Sequence, residues 1–243
     1  MPPGTSCGVP PHPEQHQTVT RGGLCLLWML APATARPILR GYVHLAAALA
    51  APFALVALLL AADSARGYVG GAVFGASLIL LFTTSASYHL IPWLPRFRPI
   101  ARRVDHSMIF VAVAGFYTPF CLQVLGAGWG IPLLVTVWVL AAAGVALEQA
   151  WPGAPAWLSL GAYLCIGWVA LVALVPLAAS LSPLAMAGLV ASGVLYSVGG
   201  VIFATGWPSP APRVFGHHEI FHSLVAAGSA VLLCVVMTDV LPR

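Results

Sequence analysis

The chain has 243 residues, of which 60% are hydrophobic and only 7% are charged. A soluble domain of this length carries about 25% charged residues, so the composition excludes an ordinary water-soluble globular protein. The net charge of +4 comes from 10 basic residues, all of them arginine. They build no continuous basic face, which excludes a nucleic-acid-binding surface.

Residues 1–36 are rich in proline and weakly patterned. The apolar stretch Leu24–Ala33 is about ten residues long, which is too short to cross a bilayer. One interpretation is a signal peptide with a cleavage site at residues 33–35. The preferred alternative is that Met29 is the true start, so that residues 1–36 are a disordered or misassigned extension. The transmembrane domain is then predicted to occupy residues 37–243.

Seven apolar runs of spanning length follow the extension. Lipid offers no partners to backbone polar groups, so each run is predicted to be a helix. The predicted spans are Gly41–Ala62, Tyr68–Ile91, Val104–Val124, Gly130–Leu147, Ala156–Pro176, Pro183–Ala204 and His217–Val240. The fold class is therefore an all-α membrane protein built as a seven-transmembrane-helix bundle.

The arginines predict the orientation of this bundle. Seven spans place most of them on one side of the membrane: Arg21, Arg36, Arg40, Arg96, Arg98, Arg102, Arg103 and Arg213. Only Arg66 and Arg243 fall on the other side. By the positive-inside rule, the N-terminus is cytoplasmic and the C-terminus faces out. We expect a multi-pass protein of the inner (plasma) membrane, with membrane lipids as its partners and no nucleic acid.

Polar side chains gather at three ends of the predicted spans. These are Ser85 and His89 in the second span, Asp105 and His106 in the third, and His217, His218, Glu219 and His222 in the seventh. The predicted topology brings all three ends to the cytoplasmic side. Polar residues at membrane depth are costly and tend to be functional, so this side is the candidate site.

The histidine spacing indicates a zinc ion, Zn2+. His218 and His222 are four residues apart and share a helix face, so both can bind one tetrahedral metal. His89 can complete a three-histidine set that leaves the fourth position for water, as catalytic zinc sites do. Asp105 would then orient or deprotonate that water, or hold a ligand imidazole. Ser85 would steady the water or an oxyanion.

Simpler interpretations exist for several of these residues. Asp105 is three residues from Arg102 and is able to pair with it on the same helix. The Ser85 hydroxyl is able to bond its own backbone, as serines in membrane helices often do. Three other histidines are interpreted as interfacial: His12, His16 and His44.

The run from His218 to His222 also reads H-E-x-x-H, the zincin signature in which a glutamate is the general base. A zincin needs a third, downstream ligand. The only acid after His222 is Asp239, which lies four to five helical turns away, at the opposite face of the membrane. A zincin site is therefore not predicted, and the role of Glu219 stays open.

Four motifs in order resemble the haemolysin III family, the bacterial branch of the progestin and adipoQ receptors, which is more distantly related to the alkaline ceramidases. The motifs lie at residues 85–89, 102–106, 114–120 and 216–222, and the resemblance extends from about Arg36 to the end of the chain. It implies a seven-helix bundle with a cytoplasmic N-terminus and an intramembrane zinc near that face. The family's motif residues fall on Ser85, His89, Asp105, His218 and His222.

Three functions follow from these observations. The first is a zinc-dependent intramembrane hydrolase of lipid or acyl amides, as the resemblance to ceramidases implies. The second is a zinc-bearing membrane sensor or receptor-like protein. The third is a pore-forming haemolysin, which the family name implies. A pore requires polar residues spread along its spans, whereas the middle and outer halves of these spans are nearly free of charge.

Overall fold

The computed structural model describes residues 37–242 except Pro152, so the prediction for residues 1–36 lies outside the described residues. Within this part of the chain, 7 helices are long and apolar enough to cross a membrane. These spans are Tyr42–Leu60, Ala65–Leu90, Arg98–Val124, Ala127–Ala150, Trp157–Ser180, Pro183–Thr205 and His217–Val240. The predicted all-α, seven-span fold is confirmed.

Five of the seven spans are longer than predicted. The extensions of the third and fourth spans bring charged residues of the site into the helices. The third span begins at Arg98 rather than at Val104, because Pro99 occupies one of the first two helical positions, where proline is favoured. Asp105 consequently lies two turns inside the helix. The fourth span continues to Ala150, which places Glu148 within the helix and not in the following loop.

Three spans contain irregular turns. The seventh span ends in a π turn over Val236–Val240. The third span changes from α-helix to a π turn over Phe120–Val124, directly after Pro119. The fifth span contains a 3-10 segment over Val169–Ala173. Tyr117 supports this break, because its hydroxyl accepts a hydrogen bond from the Ala170 amide at 2.8 Å. Irregular backbone is tolerated at membrane depth where such protein partners satisfy it.

The spans pack in sequence, and the bundle closes where the seventh span packs against the first. We call the end where the first span begins the basic end, because six arginines lie there: Arg40, Arg96, Arg98, Arg102, Arg103 and Arg213. There the Ile38 amide donates to the Arg213 carbonyl at 3.0 Å. At the opposite end, Leu241, which directly follows the seventh span, lies beside Gly71 of the second span.

The second and third spans are the most buried. They approach closely at Gly115, where an added Cβ would lie 1.9 Å from the Ser77 Oγ. Large apolar side chains cover the outside of the bundle, such as Leu60 at 82% and Leu184 at 83% exposure. This distribution suits a helical bundle whose surroundings are lipid, where small residues rather than hydrophobic burial allow helices to associate.

Replacing Gly115 by alanine is expected to lower the thermal unfolding midpoint of the detergent-solubilised protein. The new methyl group would overlap Ser77, and overpacking of this kind costs about 1–3 kcal/mol. A second substitution, Ser77→Gly, should recover part of the loss because it removes the overlapping atoms. Gly161→Ala is the matched control, since a Cβ there meets nothing within 4 Å. Equal midpoints for the two single variants would contradict this account of the packing.

Candidate metal centre at the basic end

Three histidines from two spans converge at the basic end. His89 lies in the last turn of the second span, and His218 and His222 lie in the first two turns of the seventh. One ring nitrogen from each lies within 4.8 Å of the other two. The Nε2 atoms of His89 and His218 are 3.2 Å apart. These three residues form a group that can hold a metal ion.

The donor set fits zinc. A Zn–N bond of about 2.0–2.1 Å in tetrahedral geometry places two ligand nitrogens about 3.3 Å apart. The 3.2 Å distance between the Nε2 atoms of His89 and His218 matches that separation. His222 Nδ1 is buried and has no hydrogen-bond partner in the described part of the chain. Three imidazole ligands leave one position of a tetrahedral ion open.

Ser85 and Asp105 lie beside the histidines. Both side chains are buried, at 3% and 8% exposure, and the Ser85 hydroxyl interacts with the Asp105 carboxylate. The structure has no ion pair between Asp105 and Arg102 among its described residues. The roles predicted for Ser85 and Asp105 remain predictions, but the fold brings both into the cavity that His218 and His222 also line.

His44 corrects the sequence-based interpretation, which treated it as interfacial. Its side chain is only 3% exposed, and its Nδ1 lies 2.8 Å from the Ser85 Oγ. Its ring stacks on the His222 ring at 3.8 Å between centroids and 10° between planes. His44 has no polar neighbour on its own apolar helix, so its place in the site depends on how the first, second and seventh spans pack together.

Glu219 has a structural role. It is 1% exposed and forms an ion pair with Arg40, which precedes the first span. Its other carboxylate oxygen accepts a hydrogen bond from the Gly216 amide at 2.8 Å. One carboxylate thus caps the seventh span and ties it to the first. These contacts give the glutamate of the H-E-x-x-H run a structural role, so its presence does not require it to be the general base of a zincin.

A long cavity opens from this site into the bundle. Its volume is about 310 Å³, and His44, Ser85, Asp105, His218 and His222 line one end. Along the third span the lining runs from Arg102 to Phe120, a rise of about 27 Å on helix geometry. Most of the remaining lining is aliphatic or aromatic. The cavity is therefore polar at the basic end and apolar along most of its length.

A second polar group lines the same cavity, and it was missed by sequence reasoning. It consists of Glu148, His106, Ser159 and Tyr163. The Glu148 carboxylate is buried and lies 3.6 Å from the His106 Nδ1. The predicted fourth span ended one residue before Glu148, which made this carboxylate a loop residue. An acidic residue continuing an apolar helix was the signal that could have found it.

His217 belongs to neither group. Its Nδ1 lies 3.0 Å from the Ser209 Oγ, and its backbone amide donates to the same oxygen at 3.1 Å. These contacts fix the loop that leads into the seventh span.

The fold and site define a class: an integral, multi-pass membrane protein with seven apolar helices and a histidine cluster at one end. The family model described as haemolysin-III related matches residues 33–233. The chain belongs to this family.

Two relatives have similar sequences. The chain is 37% identical over 174 residues to the hemolysin-3 homolog of Bacillus subtilis (strain 168), an alignment that covers 72% of this chain and 78% of the relative. It is 34% identical over 179 residues to the hemolysin-3 of Bacillus cereus, covering 74% and 78% respectively.

Replacing Glu219 by glutamine is expected to destabilise the protein while leaving metal binding in place. The change leaves Arg40 without its charged partner and weakens the helix cap, at a cost of about 1–3 kcal/mol. Thermal unfolding of the variant, compared with Arg40→Ala and the double variant, measures this coupling. If the two single losses simply add, the ion pair does not join the spans.

Proposed function

We propose that this protein is a zinc-dependent hydrolase that cleaves acyl amides of lipids within the membrane. The observation on which this rests is the position of the three-histidine group. It lies beside a buried Ser85–Asp105 pair at the polar end of a long apolar cavity.

The residues that would hold the zinc are His89, His218 and His222. Imidazole nitrogens suit zinc, and three of them leave a position for a further ligand. A bound zinc ion supplies Lewis-acid polarisation of a carbonyl group and a reactive water at neutral pH. A protein-only cage closed by a fourth side chain would instead favour a structural role.

Asp105 is the proposed general base. Its carboxylate is buried at the cavity wall and contacts the Ser85 hydroxyl, so it can accept a proton from an attacking water and return it to the leaving nitrogen. Ser85 holds the carboxylate in place and also lies 2.8 Å from the His44 Nδ1. His44 thereby orients Ser85 and supports His222 by stacking on it.

The cavity supports a lipid as the substrate. Ligand sites are concave and mostly apolar, with a few polar groups that fix orientation. Here the polar groups lie at one end, and the apolar lining continues past Val113 and Phe120 to Leu177. An acyl chain would occupy the apolar part and place its amide at the histidines. The resemblance to ceramidases, which act on amides of this type, points the same way.

The positive-inside rule supports a cytoplasmic location for the basic end and an inner (plasma) membrane location for the protein. Both relatives have names that refer to haemolysis, and a pore would need a polar lining through the membrane. The apolar lining of this cavity favours a lipid site over an aqueous path. Release of a trapped dye from liposomes containing the protein would be the test for a pore.

Zinc content is the first test. The purified parent protein is expected to contain close to one zinc per chain by elemental analysis, and the His218→Ala/His222→Ala variant should lose it while remaining folded. His217→Ala is the matched control and should keep its zinc, because this neighbouring histidine bonds Ser209 instead. A folded parent that is free of metal and takes up no added zinc would overturn the proposal.

Activity is the second test. Asp105→Asn is expected to reduce hydrolysis of a fluorogenic acyl amide by about 100- to 10,000-fold, the usual contribution of a general base. Zinc content should be unchanged, since Asp105 is not among the proposed ligands. Asp63→Asn alters an exposed carboxylate between the first and second spans and serves as the control. Full activity in Asp105→Asn would mean that another residue is the general base.

A further inference from the structure

Glu148 is a buried carboxylate that the proposed reaction does not use. It lies near the end of the fourth span, is 6% exposed and lines the cavity. Removing an ionised carboxylate from water is costly unless hydrogen bonds or an opposite charge compensate. The contacts of Glu148 therefore show how far protein groups compensate the cost of burying its carboxylate.

The two carboxylate oxygens of Glu148 differ in their surroundings. Oε1 accepts hydrogen bonds from the Ser159 hydroxyl at 2.5 Å and from the Tyr163 hydroxyl at 3.3 Å. Oε2 has His106 Nδ1 at 3.6 Å, which is too long for a hydrogen bond. The fifth span thus satisfies one oxygen, whereas no donor in the described part of the chain lies at bonding distance from the other.

This group shares its cavity with the histidine site. Asp105 and His106 are consecutive residues on the third span, and both line the cavity. The Asp105 carboxylate also interacts electrostatically with Tyr163 of the Glu148 group. A single molecule in the cavity can therefore reach both groups at the basic end while its chain extends along the apolar part.

We propose that Glu148 is the head-group subsite of this cavity and binds the ammonium group of a single-chain lipid. An ammonium group donates three hydrogen bonds and brings the positive charge that a buried carboxylate needs. Ser159 and Tyr163 hold the carboxylate in position, and His106 lies at its open side. Combined with the proposed function, on which this extension rests, the substrate is an acyl amide whose amine portion has a second, cationic amine.

The test is binding of dodecylamine, without any reaction. It is titrated into the protein in nanodiscs of a neutral lipid at pH 7, and the signal of empty nanodiscs is subtracted. Glu148→Gln is expected to weaken dodecylamine binding by at least about tenfold, because a charge-assisted hydrogen bond is lost. Dodecanol, which has the same chain and no charge, should bind parent and variant within about twofold of each other. Asp63→Asn, an exposed carboxylate outside the cavity lining, is the control and should behave as the parent.

Three results would overturn the proposal. The first is equal dodecylamine affinity in the parent and in Glu148→Gln. The second is an equal loss of affinity for amine and alcohol, which would mean that Glu148 only supports the fold through Ser159 and Tyr163. The third is tighter binding of dodecanoate than of dodecylamine, which would assign the head group to Arg102, an exposed cation that also lines the cavity.

Zinc content measured on the same samples separates this proposal from the proposed hydrolase. Glu148→Gln should keep the zinc of the parent. If the parent contains no zinc but binds dodecylamine through Glu148, the head-group subsite stands and the hydrolase fails. If zinc and hydrolysis are present but dodecylamine binding does not depend on Glu148, the hydrolase proposal stands and the subsite proposal fails.

Discussion

The buried Glu219 carboxylate is the contact on which the arrangement of the basic end depends. It caps the seventh span through the Gly216 amide and pairs with Arg40 ahead of the first span. In a membrane protein, helices gain little from hydrophobic association with each other, so polar contacts and close packing determine how they align. The seventh span is therefore held to the first in one register. That register stacks His44 on His222.

The same constraint explains why the polar groups lie at one end of the bundle. Ionisable side chains are costly in hydrocarbon and are kept where protein or water can satisfy them. In the described part of the chain, the buried histidines and carboxylates lie within about two turns of the span ends at the basic end, where neighbouring spans supply partners for one another. The rest of the cavity is lined mainly by apolar side chains, and its few polar ones bond within the protein, as Tyr196 does with Ser229. A polar site with a long apolar extension follows, which is a shape suited to a lipid.

Several features could be predicted from the sequence because they depend on local pattern. Apolar runs of spanning length predict helices, since the backbone in lipid has to satisfy its own hydrogen bonds. The i, i+4 spacing of His218 and His222 places both on one helix face whatever the tertiary structure. The short loops between spans bring His89 to the same end as this pair. The seven-span fold and the three-histidine group were therefore within reach of sequence reasoning.

Other features were decided only by the tertiary structure, because they depend on the rotation and depth of each helix. His44 is the lone polar residue in an apolar segment, and only packing against the second and seventh spans turns it toward Ser85. Glu148 seemed to follow its span because hydropathy falls one residue earlier, whereas the helix continues past it and buries it against the fifth span. The sequence by itself determined which residues cross the membrane and which end holds the polar ones. Packing between distant spans determined which of those residues meet.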